Sequence, residues 1–279
     1  MNCTKLFLAA SIVFSFYSCA EQGKDVTVNV DETPTGKVAI IDSQTVKYAS
    51  GKDSMLGFIA IDSSFKDKRP VVLIVPEWWG LGAYAKSRAV KLAEMGYVAM
   101  AVDFYGNQKY VDNPAEAQQL ATPFYANPLL GKSRIEAALA LIKMNPYADT
   151  NRIAAIGYCF GGAQVLNAAR LGENLNGVVS FHGDLVGVTP TRLTTLAKIL
   201  VCHGEADQFV DSTQVRIFKH QMDSVGANYS FKSYANATHA FTNPAATEMG
   251  IKNKMPIEYN AAADSASWQD MKKFFKEIF

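Results

Sequence analysis

The sequence has few cysteines, almost no net charge and no long apolar run, and each shortage excludes a class of protein. Four cysteines in 279 residues are too few for a domain held together by disulfide bonds. The formal net charge of +1, from 27 basic and 26 acidic side chains, gives no electrostatic case for nucleic-acid binding as the main activity. No apolar run reaches the roughly 18–20 residues that span a bilayer, which excludes an integral channel or transporter. The 49% hydrophobic content is typical of a globular protein.

The first 36 residues differ from the rest, and we predict that they are an export signal followed by a tether. Residues 1–18 carry one charge, Lys5, ahead of an apolar stretch over 6–17, which is the order of a secretory signal. Cys19 follows a small residue and resembles the lipidated cysteine of bacterial lipoproteins; ordinary cleavage with an incidental cysteine is the alternative. Residues 19–36 are polar and are predicted to be flexible. This pattern predicts an exported protein, attached only through a lipid anchor at a periplasmic or outer-membrane face.

Residues 37–279 alternate between strand-like and helix-like segments and are predicted to form one domain. The continuous apolar run over 71–75 suits a strand that is buried on both faces. The predicted strands are 38–41, 45–49, 55–61, 71–75, 97–102, 152–158, 177–181, 199–203 and 228–234. The predicted helices are 83–95, 113–124, 131–144, 161–171, 211–225 and 265–279. Repeated strand–helix units predict an α/β fold with a mostly parallel central sheet and helices on both faces.

A candidate nucleophile follows the predicted strand 152–158, where such sheets bind their ligands. Gly157-x-Cys159-x-Gly161 is the pattern of a nucleophile elbow with cysteine in place of serine. The small residues let strand and helix pass closely around a tight turn. A helix N-terminus after such a turn favours a thiolate and offers N–H groups to an oxyanion. The alternative is a glycine-rich turn with a buried structural cysteine.

A candidate acid and a candidate base follow two later strands. Asp207 comes after the predicted strand 199–203, and His239 comes after the strand 228–234. The chain order nucleophile, acid, base is that of α/β-hydrolases, in which the acid orients the histidine and the histidine moves the proton. Glu205 and Asp211 are rival acids. His182 follows the strand 177–181 and is expected to line the pocket.

The loop after the predicted strand 71–75 contains a pair of tryptophans and is the place for half of an oxyanion hole. Such a hole needs two backbone N–H donors, one from the residue after the nucleophile and one from this loop. We predict that Phe160 and Trp78 supply them. Because adjacent side chains on a turn diverge, only one tryptophan is expected to face the pocket, and Trp79 is the predicted wall.

The segments Gly157–Gly162, Pro76–Gly80 and His239-Ala240-Phe241 together resemble the dienelactone hydrolase family over roughly residues 38–279. The resemblance implies an α/β-hydrolase fold, a Cys-His-Asp triad and no metal or cofactor. It also implies that Glu77 contacts the resting thiol and helps to deprotonate it when substrate binds.

The same resemblance bears on the substrate. Tyr105, Asn107 and Asn243 lie at positions that meet the substrate in the family. Dienelactone-cleaving members have arginines that hold a substrate carboxylate at the two positions occupied here by Asn107 and Asn243. Asparagine offers neutral hydrogen bonds instead of an ionic clamp. The resemblance therefore implies hydrolysis of a small-molecule ester, thioester or lactone, whereas a carboxylated dienelactone is not expected to be the substrate.

Two further functions are consistent with the residues. A non-catalytic surface protein that binds a ligand or partner on a hydrolase fold is the alternative, although such a protein has no need for Cys159, Asp207 and His239 together. A redox function is less favoured, because Cys159 and Cys202 have no CxxC spacing. Cys202 lies within an apolar strand, which is typical of a core thiol. The oligomeric state stays open.

Overall fold

The computed structural model describes residues 39–279. The predicted export signal over 1–18, the lipidation site Cys19 and the tether over 19–36 lie outside the described residues and stay predictions of the sequence. Across the described residues, no helix has both the length and the apolar character needed to cross a membrane.

A single mixed sheet forms the centre of the described part of the chain. Its strands are β1 (Ile41–Ser50), β2 (Asp53–Asp62), β3 (Arg69–Val75), β4 (Val98–Ala101), β5 (Ala148–Tyr158), β6 (Gly177–Phe181), β7 (Lys198–Gly204) and β8 (Tyr229–Tyr234). The order across the sheet is β1-β2-β4-β3-β5-β6-β7-β8. The pairs β1·β2 and β2·β4 are antiparallel, and all neighbouring pairs among β3 to β8 are parallel. The sheet is therefore mostly parallel, as predicted.

Helices cover both faces of this sheet. They are α1 (Ala83–Glu94), α2 (Pro114–Ala126), α3 (Pro128–Ile142), α4 (Phe160–Arg170), α5 (Ser212–Val225), α6 (Ala246–Asn253) and α7 (Ala261–Ile278). One apolar core packs α2, α3, α4 and α5 against one face, and the other packs α1 and α7 against the opposite face. This arrangement confirms the predicted α/β fold.

The central strand β3 shows why its sequence is continuously apolar. Val71, Leu73 and Val75 belong to one core, whereas Val72 and Ile74 belong to the other. All five side chains are fully buried. Because successive residues point to opposite faces and both faces are covered, the strand needs apolar residues at every position.

The structure differs from the sequence predictions at the first strand and near the C-terminus. Residues 41–50 form one long strand, β1. It pairs with β2 along its whole length and makes a hairpin at the edge of the sheet. Its outward face is exposed and polar, which interrupts the apolar pattern that the sequence prediction followed. Helix α6 was not predicted, because its eight residues contain two buried positions, Ala246 and Gly250, and so give a weak helical period.

The parallel arrangement decides where the candidate residues meet. The carboxyl ends of parallel strands lie at one edge of a sheet, and loops from those ends share the space above it. Cys159 follows β5, His182 follows β6, Asp207 follows β7 and His239 follows β8. Residues separated by up to 80 positions in the sequence are thereby brought to one place.

Candidate active site

Cys159 occupies a strained turn between β5 and α4. Its backbone has φ 53° and ψ −116°, a conformation that non-glycine residues rarely adopt. The glycines on either side are required by close contacts. A Cβ on Gly157 would lie 2.0 Å from the carbonyl oxygen of Gly161, and one on Gly161 would lie 2.2 Å from that of Val75. The turn therefore has the geometry of the predicted nucleophile elbow.

Two acceptors at the carboxyl end of β6 hold the N–H of Cys159. This N–H donates to the carbonyl oxygen of Phe181 at 3.0 Å and to Nδ1 of His182 at 3.1 Å. The other ring nitrogen of His182, Nε2, lies 2.7 Å from Oγ1 of Thr242. His182 is thus fully buried beneath the turn, whereas Cys159 is half-buried and is not in a disulfide.

Asp207 and His239 form a direct pair in the loops after β7 and β8. Nδ1 of His239 lies 2.8 Å from Oδ2 of Asp207. The second carboxylate oxygen accepts hydrogen bonds from the N–H groups of Phe209 at 2.8 Å and Val210 at 3.2 Å. Burial alone would raise the pKa of Asp207, but the hydrogen bond and charge of His239, together with these two N–H groups, hold it below its usual value.

Backbone contacts join the two loops that carry Asp207 and His239. The N–H of Ala206 donates to the carbonyl oxygen of Ala237 at 2.9 Å. Gly204 lies against the same carbonyl, since a Cβ there would come within 2.4 Å of it. The rival acids are placed elsewhere: Glu205 is exposed, and Asp211 caps α5 by accepting from the N–H of Gln214 at 2.9 Å. Asp207 is the acid that reaches His239.

His239 contacts the acid and shares the cavity lining with the thiol. Burial would lower the pKa of its imidazole, but the charge of Cys159, the hydrogen bonds to Asp207 and Cys159, and the charge of Asp207 together raise it well above the usual value. His182 behaves in the opposite way, because burial, the charge of His239 and that of Arg88 lower its pKa well below the usual value. Of these two neighbouring histidines, His239 is suited to carry a proton and His182 to stay neutral.

Glu77 is a buried carboxyl group at the same site. It is 5% exposed, and Nδ2 of Asn243 donates to its Oε2 at 2.7 Å. Burial raises the pKa of Glu77 to about 7, although the hydrogen bond from Asn243 and the charges of His239 and Arg88 act in the opposite direction. A carboxyl group with this pKa exchanges protons near neutral pH.

The candidate residues open into a cavity of about 460 Å³ above the sheet edge. Its lining is mostly apolar and aromatic, with a few polar groups, which is typical of a small-molecule site. The lining residues are Glu77, Trp78, Trp79, Gln118, Ala121, Thr122, Tyr125, Ala126, Cys159, Asp184, Phe209, Val210, His239, Ala240, Met255 and Ile257. A second cavity of about 140 Å³ lies on the other side of Glu77 and Trp79.

The two predicted oxyanion donors have free N–H groups. Phe160 is the first residue of α4, and Trp78 lies in the loop after β3. Among residues 39–279, neither N–H donates a hydrogen bond to a protein acceptor. The hydroxyl of Tyr105 donates to the carbonyl oxygen of Trp78 at 2.9 Å, which fixes the peptide bond between Trp78 and Trp79. This pair of unengaged donors is what an oxyanion hole needs.

The tryptophan pair corrects one prediction about the loop. Both Trp78 and Trp79 line the main cavity, although only one was expected to do so. Their rings meet edge to face, with centroids 5.0 Å apart and planes at 62°. This arrangement lets two neighbouring side chains share one wall.

The structure does not bring all predicted substrate-binding residues to the main cavity. Tyr105 packs against Phe160 behind it, and His182 lies beneath the elbow. Asn243 faces Glu77 and the smaller cavity. Asn107 is exposed in a turn, where its N–H donates to the carbonyl oxygen of Ser54. Of this predicted group, Trp79 alone lines the cavity of about 460 Å³.

Several lining residues were missed by the sequence reasoning. Helix α2 contributes one face, through Gln118, Ala121, Thr122, Tyr125 and Ala126. The apolar period of α2 marks its buried, core-facing residues Ala117, Ala121 and Phe124, and the exposed cavity face lies beside them. Asp184 and Phe209, in contrast, lie in loops without periodicity, and only the strand-end position was available to indicate them.

The chain is similar to known proteins along most of its length. A profile of the dienelactone hydrolase family matches residues 55–279. A protein of Aquifex aeolicus with the provisional name carboxymethylenebutenolidase is 28% identical over 239 residues, which cover 84% of this chain and 97% of that protein. A Bradyrhizobium protein, provisionally named a 2-oxo-3-(5-oxofuran-2-ylidene)propanoate lactonase, is 28% identical over 183 residues, or 62% of this chain and 73% of that protein.

The chain also shares its fold with solved structures at about 30% identity. The dienelactone hydrolase-like promiscuous phosphotriesterase P91, from metagenomic libraries, superposes with a TM-score of 0.80 at 30% identity. The superposition covers 86% of this chain and 99% of that one. Nearly the whole of that protein therefore has a counterpart here.

Proposed function

The chain belongs to the dienelactone hydrolase family and is a carboxylic ester hydrolase, and on that premise we propose that it cleaves an ester, thioester or lactone through a triad of Cys159, His239 and Asp207. The observation that carries the proposal is the placement of His239. Its Nδ1 lies 2.8 Å from Asp207, the charge of Cys159 raises the pKa of its ring, and His239 and Cys159 line the same cavity. This is the arrangement in which an acid orients a base toward a nucleophile.

Acylation uses the thiolate of Cys159. The thiol proton moves to His239, and the sulfur adds to the carbonyl carbon of the substrate. The carbonyl electrons shift to the oxygen, which the N–H groups of Trp78 and Phe160 hold as an oxyanion. When the tetrahedral adduct collapses, the bond to the leaving oxygen or sulfur breaks, and His239 gives that atom its proton. An acyl-thioester on Cys159 remains.

Deacylation uses water. Neutral His239 takes a proton from a water molecule, and the resulting hydroxide adds to the thioester carbonyl. Collapse of the second adduct releases the carboxylic acid and returns the Cys159 thiolate beside the His239 imidazolium. Asp207 stabilises that imidazolium in both halves of the reaction, because its pKa is held low and it stays ionised.

Glu77 acts as a second proton acceptor for the thiol. Its carboxyl group lines the same cavity as Cys159 and has a pKa of about 7, so both of its protonation states are present near neutral pH. The charge of His239 lowers the pKa of Glu77, which indicates that the two groups act on each other. Asn243 holds the carboxyl group in place.

The test is turnover of short p-nitrophenyl esters by residues 20–279, with Cys159→Ala and iodoacetamide treatment as the two ways to remove the nucleophile. Both are expected to abolish turnover. Cys202→Ala is the matched control, because that thiol is fully buried and burial raises its pKa to about 12. Turnover that survives in Cys159→Ala would contradict the proposal. An absence of turnover from acetyl to octanoyl esters, with Cys159 unreactive, would favour a binding protein on a hydrolase fold.

A further inference from the structure

The main cavity has acidic side chains in its lining and, within residues 39–279, no lysine or arginine there. The two acids are Glu77 and Asp184. Glu77 is occupied by its hydrogen bond from Asn243 and has a pKa near neutrality. Among residues 39–279, Asp184 is therefore the lining acid that is left to act on a ligand. A pocket of this composition offers no counter-charge to a buried carboxylate.

Asp184 has one carboxylate oxygen available to a ligand. It lies in the loop after β6 and is half-buried. Its Oδ1 accepts a hydrogen bond from the N–H of Val186 at 2.9 Å, and its Oδ2 accepts none from residues 39–279. The turn thus fixes the carboxylate while it leaves one oxygen unengaged.

The guanidinium of Arg170 is buried close enough to Asp184 for the two charges to interact, but it does not contact the carboxylate. Arg170 donates to the carbonyl oxygen of Leu185 at 2.9 Å and packs over the ring of Phe218. Its hydrogen-bond partners are Asn167 and Leu185 rather than Asp184, and it is not part of the cavity lining. Burial lowers the pKa of Arg170 to about 10, while the charge of Asp184 acts in the opposite direction.

Aromatic rings share the cavity with this carboxylate. They belong to Trp78, Trp79, Tyr125 and Phe209. Tyr125 is close enough to Asp184 for that charge to contribute to the raised pKa of its phenol. Aromatic faces beside a carboxylate are the chemistry that recognises alkylammonium cations, since the ring quadrupole attracts the cation and the methyl groups pack on the ring.

We propose that the substrate carries a cationic alkylammonium group, which binds against Asp184 and Tyr125 while the ester carbonyl lies at Cys159. This inference rests on the proposed function, because it assigns the substrate class of the same site. A neutral group of equal shape gains the apolar contacts but not the attraction to Asp184. An anionic group is repelled by Asp184 and loses its hydration without compensation.

Three p-nitrophenyl esters with one leaving group test the proposal. They are the 4-(trimethylammonio)butanoate, its carbon isostere 5,5-dimethylhexanoate, and the glutarate monoester. Each kcat/KM is divided by the rate constant of hydroxide hydrolysis, which removes differences in intrinsic reactivity. We expect the cationic ester to exceed the neutral isostere by about tenfold, the value of a partly desolvated cation–π and ion contact. The anionic ester is expected to be the slowest of the three.

Two substitutions test whether Asp184 causes the preference for the cationic ester. Asp184→Asn removes the charge and keeps the acceptor for the N–H of Val186, so the ratio of cationic to neutral turnover is expected to fall toward one. Asp42→Asn is the matched control, because it removes one negative charge from the exposed face of β1, away from the cavity lining. Its ratio is expected to equal that of the wild type.

The outcomes separate the two proposals. A cationic ester that is turned over no faster than its isostere overturns the inference and leaves the hydrolase intact, and this comparison needs only the wild-type protein. A ratio that survives in Asp184→Asn overturns the assignment of Asp184. If none of the three esters is turned over and Cys159 does not react with iodoacetamide, the proposed function itself fails, and the inference fails with it.

Discussion

The N–H of Cys159 donates a hydrogen bond to Nδ1 of His182 at 3.1 Å. Because Nδ1 accepts, the ring proton of His182 is on Nε2, which lies 2.7 Å from Oγ1 of Thr242. The hydroxyl of Tyr84 donates to the same oxygen at 2.7 Å. A chain of neutral buried groups therefore connects the elbow to the opposite core, and it supports a backbone conformation that costs energy.

His182 is expected to position the nucleophile. In His182→Leu, the buried hydroxyl of Thr242 keeps the hydrogen bond from Tyr84 but loses the one from His182, which costs about 1 kcal/mol of unfolding free energy. The N–H of Cys159 loses one acceptor at the same time, so kcat is expected to fall with little change in KM. His182→Asn keeps an acceptor near the position of Nδ1 and is expected to recover most of kcat. Urea unfolding and ester kinetics measure the two effects.

A merely structural function for His182 predicts another result. In that case, the Leu and Asn variants would lose kcat in parallel with their stability. Equal kcat in all three proteins would show that the contact does not position Cys159.

Asp207 is expected to be the acid on which His239 depends. Asp207→Asn keeps the size of the side chain but removes the charge that stabilises the imidazolium. We expect kcat/KM to fall by about ten-thousandfold, the loss found when the acid of a Ser-His-Asp triad is replaced by asparagine. The matched controls are Glu205→Gln, at an exposed site, and Asp211→Asn, which keeps a residue able to cap α5. A comparable loss in either control would contradict the assignment of Asp207.

Glu77 is expected to make the stability depend on pH in the neutral range. Its pKa is about 7 in the folded protein and 4.5 as the reference for an unfolded chain. The folded state therefore binds more protons between these values, and the free energy of unfolding falls as the pH rises from 4.5 to 7. The pKa difference corresponds to a loss of about 3 kcal/mol, which is complete above pH 7.

Glu77→Gln isolates this contribution. Glutamine retains an oxygen that accepts the hydrogen bond from Asn243 but does not titrate. Subtraction of the variant's free energy of unfolding from that of the wild type should give a curve that falls between pH 4.5 and 7 and is then flat. Parallel curves for the two proteins across this range would show that the pKa of Glu77 is not raised in the folded state.

The fold and the positions of the candidate residues at one edge of the sheet were predictable from the sequence, because their signals are local or follow the chain order. Glycines at 157 and 161 mark the elbow, since only glycine fits against the backbone there. The alternation of strands and helices then places the ends of β5, β7 and β8 at one edge of the sheet. These rules bring Cys159, Asp207 and His239 together without knowledge of any contact.

The surroundings of the triad were less predictable, because they depend on side-chain directions. His182 was expected in the pocket, but its ring lies beneath the elbow as an acceptor for Cys159. Asn243 lies four residues past His239, yet it reaches Glu77 because the chain turns sharply at Ala240, where φ is 58°. Positive φ at a non-glycine residue has no reliable sequence signal, so the direction of the following side chains could not be foreseen.

The proposed mechanism requires an acyl-thioester on Cys159, and this intermediate can be trapped. Asp207→Asn is mixed with p-nitrophenyl butyrate, quenched in acid within the first turnover, and analysed by peptide mass spectrometry. The account predicts a butyryl mass on the peptide that contains Cys159, removed by neutral hydroxylamine and absent when Cys159 is alkylated beforehand. Release of nitrophenolate without an acyl mass on that peptide, or with the acyl group on another residue, would contradict the account.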